Sequence, residues 1–167
     1  MRELYFKFFF RMQHEIFYLE QYANIMGRRG KIYSVGLSVL ASGSVATLMI
    51  WKKCPVLWSV VAFVTQILQA IKPHFQYDQR QAAIHYMLQD AQPLMRDIRG
   101  FWDLHMAKGQ DLPDEDVEAA MSQFEKRYDE IAARFTGDIA FPVSRMAQRK
   151  AEKLNKNHFD LYYKVKS

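Results

Sequence analysis

The sequence predicts an all-α integral membrane protein, in which two transmembrane helices form a hairpin between an N-terminal amphipathic helix and a cytoplasmic antiparallel helical stalk. Two uncharged stretches, residues 32–51 and 55–71, are separated by three residues, and apolar residues recur at helical spacing on both sides. Hydrophobic residues make up 50% of the 167, and 7 Gly and 5 Pro are too few for a loop-rich chain. We expect four segments: an amphipathic helix (1–30), the hairpin (31–76), the stalk (77–137) and a basic tail or helix (138–167).

The first uncharged stretch is long enough to span a bilayer. As a helix, residues 32–51 extend about 30 Å, which matches the hydrocarbon thickness. Residues 55–71 reach about 25 Å, which is marginal, and they begin at Pro55, which a helix accepts in its first turn. The alternative is a buried hairpin in a soluble protein. The other helices carry apolar stripes on one side only and cannot surround two apolar helices, which favours the bilayer.

Basic and aromatic residues at the ends of both stretches predict the orientation of the hairpin. Trp side chains suit the headgroup region, and Lys side chains reach it by extending along the helix. More basic residues precede the first stretch and follow the second than lie in the turn, so both termini are expected in the cytoplasm. The predicted membrane-interface residues are Arg28, Arg29, Lys31, Trp51, Lys52, Lys53, Trp58 and Lys72.

Small residues form a stripe along the first stretch. Four of them recur every fourth residue, and two glycines lie seven apart on a neighbouring line. Such stripes let helix backbones approach closely in lipid. The stripe either packs against the second stretch within one subunit or forms an oligomeric seam or pore wall. Its members are Ser34, Gly36, Ser38, Ser42, Gly43 and Ala46.

The second stretch carries three polar side chains, Thr65, Gln66 and Gln69. Polar groups in lipid are costly, so these residues should face protein or water. A ring of Gln66 and Gln69 would form a neutral, hydrated pore mouth. The alternative is that they anchor a short helix at the membrane interface.

Amphipathic helices are predicted on both sides of the hairpin. Apolar residues spaced three and four apart predict a first helix that ends near Gly27. After the hairpin, the same spacing over 84–102 and 117–135 predicts two helices that pair antiparallel as the stalk. The second should begin at Pro113 and end at Thr136.

The last segment is basic, whereas the stalk is acidic. Residues 78–138 hold thirteen acidic and seven basic side chains, and residues 139–167 hold two acidic and seven basic ones. The basic residues form a solvated face, or they bind anionic lipid headgroups or a partner that contains nucleic acid. The candidates for that binding are Arg145, Arg149, Lys150, Lys153 and Lys156.

The sequence holds no recognisable catalytic motif. It has no glycine-rich phosphate loop and no HExxH pair, and its one cysteine, Cys54, has no second thiol to pair with. We therefore expect no enzyme, no catalytic residue, no metal site and no cofactor.

The stretch RRGKIYSVGLSVLASG at the start of the first span, and HYMLQ around His85 after the second, resemble the SLATT family of two-transmembrane effector domains of bacterial antiphage defence. The likeness covers roughly residues 10–135. It implies a homo-oligomer in the bacterial inner membrane that forms pores and stops growth in abortive infection. It also implies a cytoplasmic sensor, either a nucleotide-signalling enzyme or, as in retrons, a reverse transcriptase bound to nucleic acid, which acts through the stalk or the basic tail.

Two other functions fit the same layout. One is a non-conducting membrane anchor or assembly subunit whose stalk recruits a cytoplasmic partner. The other is a holin-like lysis protein, although its cytoplasmic part is normally shorter than the stalk expected here.

Overall fold

The protein is all-α over the residues described by its structure, a computed structural model. These are residues 1–46, 55–75, 77–106, 112–136 and 141–163, and within them the chain forms five α-helices and no strand. The helices are α1 (Arg2–Ala46), α2 (Pro55–Phe75), α3 (Tyr77–Phe101), α4 (Asp114–Thr136) and α5 (Arg145–Tyr162). A π-helical turn, Trp102–Met106, follows α3.

The chain divides into two compact units. We call Met1–Ile25 together with Ala82–Ser167 the bundle unit, and Met26–Gln81 the hairpin unit. Helices α1 and α3 each contribute residues to both units.

Helix α1 does not end near Gly27 as the sequence predicts, but continues to Ala46. A glycine inside a helix costs about 1 kcal/mol relative to alanine, which a helix of this length tolerates. A Cβ atom at Gly27 would lie 3.0 Å from Nε2 of Gln81. The glycine therefore permits a close approach of the Gln81 side chain instead of ending the helix.

Helices α3 and α4 pair antiparallel in the bundle unit. Arg127 Nη1 lies 3.0 Å from Asp97 Oδ2, and Arg134 Nη1 lies 3.2 Å from Asp90 Oδ2. From the first ion pair to the second, the residue on α4 lies seven positions later, whereas the residue on α3 lies seven positions earlier. Only antiparallel helices give this relation. Both ion pairs are half-exposed, so they fix register more than they add stability.

Helix α5 packs against the first half of α1. Ser144 caps its N-terminus, where Oγ accepts a hydrogen bond from the amide of Ala147 at 3.3 Å. Residues at every fourth position form its buried face: Ala147, Ala151, Asn155 and Phe159. The two alanines allow close contact, and a second bond, from the amide of Ser144 to the Tyr18 hydroxyl at 3.2 Å, holds the start of α5 to α1.

Aromatic side chains form the core of the bundle unit. Phe9 is fully buried, and its ring centroid lies 5.1 Å from that of Phe159 in an edge-to-face arrangement. Tyr5 is also fully buried, stacks on Phe101, and donates its hydroxyl to the carbonyl of Ile98 at 2.9 Å. Burial raises the pKa of the Tyr5 phenol, so this donor keeps its proton.

Within the described ranges, no helix combines the length and the apolar character needed to cross a membrane.

Candidate functional site

The hairpin unit contains the residues that the sequence predicts to lie in the membrane. On its inner face, α1 contacts α2. The hydroxyl of Tyr33 donates a hydrogen bond to the backbone carbonyl of Leu68. Tyr33 and Leu68 are half-buried, as are Leu37 one turn further along α1 and Thr65 one turn earlier on α2. The two helices thus share a narrow seam of half-buried side chains.

The outer face of the hairpin unit is apolar and exposed. On α2, Val56 is 75% exposed and Phe63 is 63% exposed; on α1, Val35 is 62% exposed. Apart from the adjacent pair Phe63 and Val64, the large exposed side chains of α2 follow one another by three or four residues, so they form a continuous apolar stripe. Full burial of one such side chain is worth about 1.5–3 kcal/mol. The stripe consists of Val56, Val60, Phe63, Val64, Ile67 and Ile71.

The small residues of α1 are not covered by α2 where their side chains are described. Ser34, Gly36 and Ser38 are exposed. The Ser38 hydroxyl donates to the carbonyl of Ser34 at 2.9 Å, and a Cβ atom added at Gly36 would meet no other atom within 4 Å. This part of the stripe is therefore open to a neighbouring helix from outside the chain. The side chains of Ser42, Gly43 and Ala46 lie outside the described residues.

The polar residues of α2 divide between the seam and the surface. Thr65 is half-buried beside α1, whereas Gln66 and Gln69 are exposed. Gln66 follows Phe63 of the apolar stripe by three residues, so in the single chain amide and apolar groups are neighbours on the helix surface.

The predicted interface residues are described only in part. Arg28, Arg29 and Lys31 are exposed on α1. Trp51, Lys52, Lys53 and Cys54, and the side chains of Trp58 and Lys72, lie outside the described residues.

The basic residues of the last segment share the exposed side of α5. Arg145, Arg149, Lys150, Lys153 and Lys156 are all exposed. At 100° per residue, Arg145, Arg149 and Lys153 lie nearly opposite the buried face of α5, and Lys150 and Lys156 lie at its two edges. The helix thus presents a cationic surface, which we call the basic face.

The sequence did not single out Asn155 and His14, which meet at the contact between α5 and α1. Asn155 is fully buried, and its Nδ2 donates to the carbonyl of Phe10 at 3.1 Å. A sequence signal did exist, because Asn155 continues the stripe of Ala147 and Ala151 on an otherwise polar helix. Only the packing of α5 on α1 brings it beside His14.

Within the described part of the chain, no group of three or more His, Cys, Asp or Glu side chains could hold a metal ion. Comparison with known proteins gives no match, since no family model, no curated protein and no solved structure matches the chain.

Proposed function

We propose that the protein is a membrane effector of a bacterial antiphage defence system. When a partner sensor is triggered, the effector oligomerises and permeabilises or depolarises the inner membrane. In this proposal residues 32–51 and 55–71 span the bilayer, and both termini lie in the cytoplasm. The defence role rests on the resemblance of RRGKIYSVGLSVLASG and HYMLQ to two-transmembrane effectors.

One observation carries the membrane part of the proposal, namely the exposed apolar stripe of α2. A folded chain in water gains free energy by covering such side chains, at about 1.5–3 kcal/mol for each fully buried one. The chain itself leaves Val56, Val60 and Phe63 exposed. Lipid covers them without leaving any backbone polar group of the helix unpaired, because the helix satisfies its own backbone hydrogen bonds.

Oligomerisation is supported by the open stripe of small residues. Ser34, Gly36 and Ser38 are exposed, so a helix of a second copy has room to approach the backbone of α1. In a ring of copies, Gln66 and Gln69 are the amide side chains available to line a hydrated opening. Neutral amides would give such an opening little charge selectivity.

The test compares leucine substitutions in the two units. Expression of the native chain together with its trigger should collapse the membrane potential, which a voltage-sensitive dye reports. Ser38→Leu fills the open stripe and Gln66→Leu removes a polar group, so each should restore the potential and growth. The matched controls are Ser122→Leu and Gln123→Leu, which replace exposed residues of α4 and should remain toxic. Toxicity unchanged by both Ser38→Leu and Gln66→Leu would refute the pore.

A non-conducting anchor is the second candidate, and the basic face favours it. Five exposed cations on α5, a helix of the bundle unit, offer a docking surface for an anionic partner. An anchor would release no dye from vesicles, whereas charge reversal of the basic face would abolish partner binding.

A further inference from the structure

Helix α5 carries exposed apolar residues beside its basic face. Met146 and Leu154 lie four residues before and after Lys150, and Leu161 follows seven residues after Leu154, so these side chains lie along one side of the helix. Met146 is 55% exposed, Leu161 is 73% exposed, and Leu154 is exposed as well. We call Met146, Leu154 and Leu161 the apolar edge.

The chain leaves the cations of α5 open to an outside partner. Among the described residues, none of the five cations of the basic face forms an ion pair. The exposed acidic residues of α5 are Glu152 and Asp160, so cations exceed carboxylates on this helix. Glu152 also lies on the side of α5 that is turned away from the apolar edge. The basic face and the apolar edge therefore form one surface that is both cationic and apolar.

An anionic lipid surface fits both features at once. A helix that lies on a membrane places its apolar side chains at the boundary of the acyl chains, while Lys and Arg reach the headgroups. Phosphates of anionic lipids attract cations within a screening length of about 8 Å at physiological salt.

A nucleic acid fits only one of the two features. Its phosphates pair with the cations of the basic face, but its bases stack on aromatic rings, whereas the apolar edge consists of two leucines and a methionine. Binding of a nucleic acid leaves these three side chains in water. The composition of the surface thus favours lipid.

We propose that α5 docks on the surface of an anionic lipid bilayer, with the apolar edge at the acyl-chain boundary and the basic face on the lipid phosphates. The docking surface lies wholly within the bundle unit, so this binding is separate from the pore and does not depend on insertion of residues 32–51 and 55–71.

The test reads the environment of α5 from a fluorophore on the full chain. In a Cys54→Ser background, Leu154→Cys carries an NBD group, whose emission rises and shifts to the blue when it leaves water. The chain is held in nanodiscs of phosphatidylcholine alone, or with about one third phosphatidylglycerol. The shift should appear only with phosphatidylglycerol and should weaken in about 1 M salt, where the screening length falls to about 3 Å. Gln148→Cys, exposed on the other side of α5, is the matched label and should show no shift.

Two pairs of charge substitutions assign the docking to the basic face. Arg149→Gln with Lys153→Gln should lower the equilibrium constant for docking about 30-fold, the effect expected for two cations near an anionic surface. Arg96→Gln with Lys126→Gln removes the same charge from exposed positions of α3 and α4 and should leave docking unchanged. Titration of the phosphatidylglycerol fraction measures both constants.

Serine substitutions test the apolar edge. Met146→Ser with Leu161→Ser should require more phosphatidylglycerol for the same shift, although every cation remains. Leu4→Ser with Leu104→Ser, which replaces exposed leucines elsewhere in the bundle unit, should require no more than the native chain. Far-UV circular dichroism checks that all variants keep their helices.

Four results would overturn the docking. In the first, the label at position 154 shifts equally in both kinds of nanodisc, so anionic lipid is not needed. In the second, it shifts in neither. In the third, the chain instead binds a DNA duplex in a mobility-shift assay and loses that binding in Arg149→Gln with Lys153→Gln, which assigns the basic face to nucleic acid. In the fourth, Arg96→Gln with Lys126→Gln removes docking as fully, so only net charge matters.

Failure of this docking is distinguishable from failure of the pore. Retention of the chain on nanodiscs of phosphatidylcholine alone reports insertion of the hairpin unit, whereas the label at position 154 reports α5. If the chain is not retained, the same label is read after addition of vesicles of the same two compositions.

Discussion

The two units use the same kind of side chain in opposite ways. In the bundle unit Phe9 is 0% exposed and packs against other rings, whereas in the hairpin unit Phe63 is 63% exposed. Apolar residues spaced three and four apart therefore build a core in one unit and an outward surface in the other. The bundle unit is thus stabilised by its own packing, whereas the hairpin unit leaves large apolar side chains exposed in the single chain.

The largest expected effect contrasts two phenylalanines. Phe9→Ala removes a fully buried ring and should lower the free energy of unfolding by about 3–5 kcal/mol. Phe63→Ala removes an exposed ring and should change it by less than about 0.5 kcal/mol. Chemical denaturation of both variants in detergent, followed by far-UV circular dichroism, measures the contrast. A large loss at Phe63 would mean that its ring is buried by the folded chain and would end the distinction between the units.

A charge on the apolar stripe should weaken membrane insertion. A lysine within the hydrocarbon costs roughly 2.5–3.5 kcal/mol, so Val60→Lys should lower the equilibrium constant for membrane insertion about 100-fold. Val143→Lys is the control, since Val143 is 79% exposed in the bundle unit. In the control, an impermeant maleimide added outside spheroplasts should label Cys54; in Val60→Lys, labelling should require lysis.

Two outcomes of this labelling would contradict the proposed topology. Labelling of Cys54 only after lysis in the native chain would place the predicted turn on the cytoplasmic side. Release of the native chain from membranes by alkaline carbonate would show that the hairpin unit is not inserted.

The smallest expected effect is a pH dependence that belongs to the bundle unit. Burial, and to a lesser degree the guanidinium of Arg99 at 3.4 Å, lower the pKa of His158 below its usual 6.5. As pH falls below about 7 the unfolded chain takes up this proton first, so His158 should lower stability progressively from pH 7 to its folded pKa. His158 is partly exposed, so the change should be modest.

Replacement of the histidine tests this dependence. His158→Gln should flatten the decline of Tm between pH 7 and pH 5, whereas His85→Gln, at an exposed position of α3, should leave the decline unchanged. An identical pH profile for the native chain and His158→Gln would show that His158 titrates alike in the folded and unfolded chains.

The helical segments of the bundle unit were largely predictable from sequence. Helix α4 runs from Asp114 to Thr136, within one residue of the expected bounds, because three acidic residues open it and the apolar heptad pattern is unbroken. The antiparallel pairing of α3 with α4 also follows from their complementary stripes. The predicted end of α1 was wrong, because a glycine that ends a helix and a glycine that admits a neighbouring side chain look identical in sequence.

The candidate sites were predictable only where they are continuous along the chain. The apolar stripe, the small residues of α1 and the basic face are each read from one helix. The buried hydrogen bond from Asn155 to the carbonyl of Phe10 is not, because these two residues are distant in sequence and meet only when α5 packs on α1.

The sequence by itself determined which segments are helical and which side of each helix is apolar, because both properties follow from residues a few positions apart. The tertiary structure decided which apolar sides face inward and which remain open, since that depends on the partners each helix finds. Burial of Phe9, exposure of Phe63 and the position of Asn155 beside His14 are all outcomes of helix packing. The free energy of burial is set by contacts between segments far apart in the chain, and local spacing does not specify those contacts.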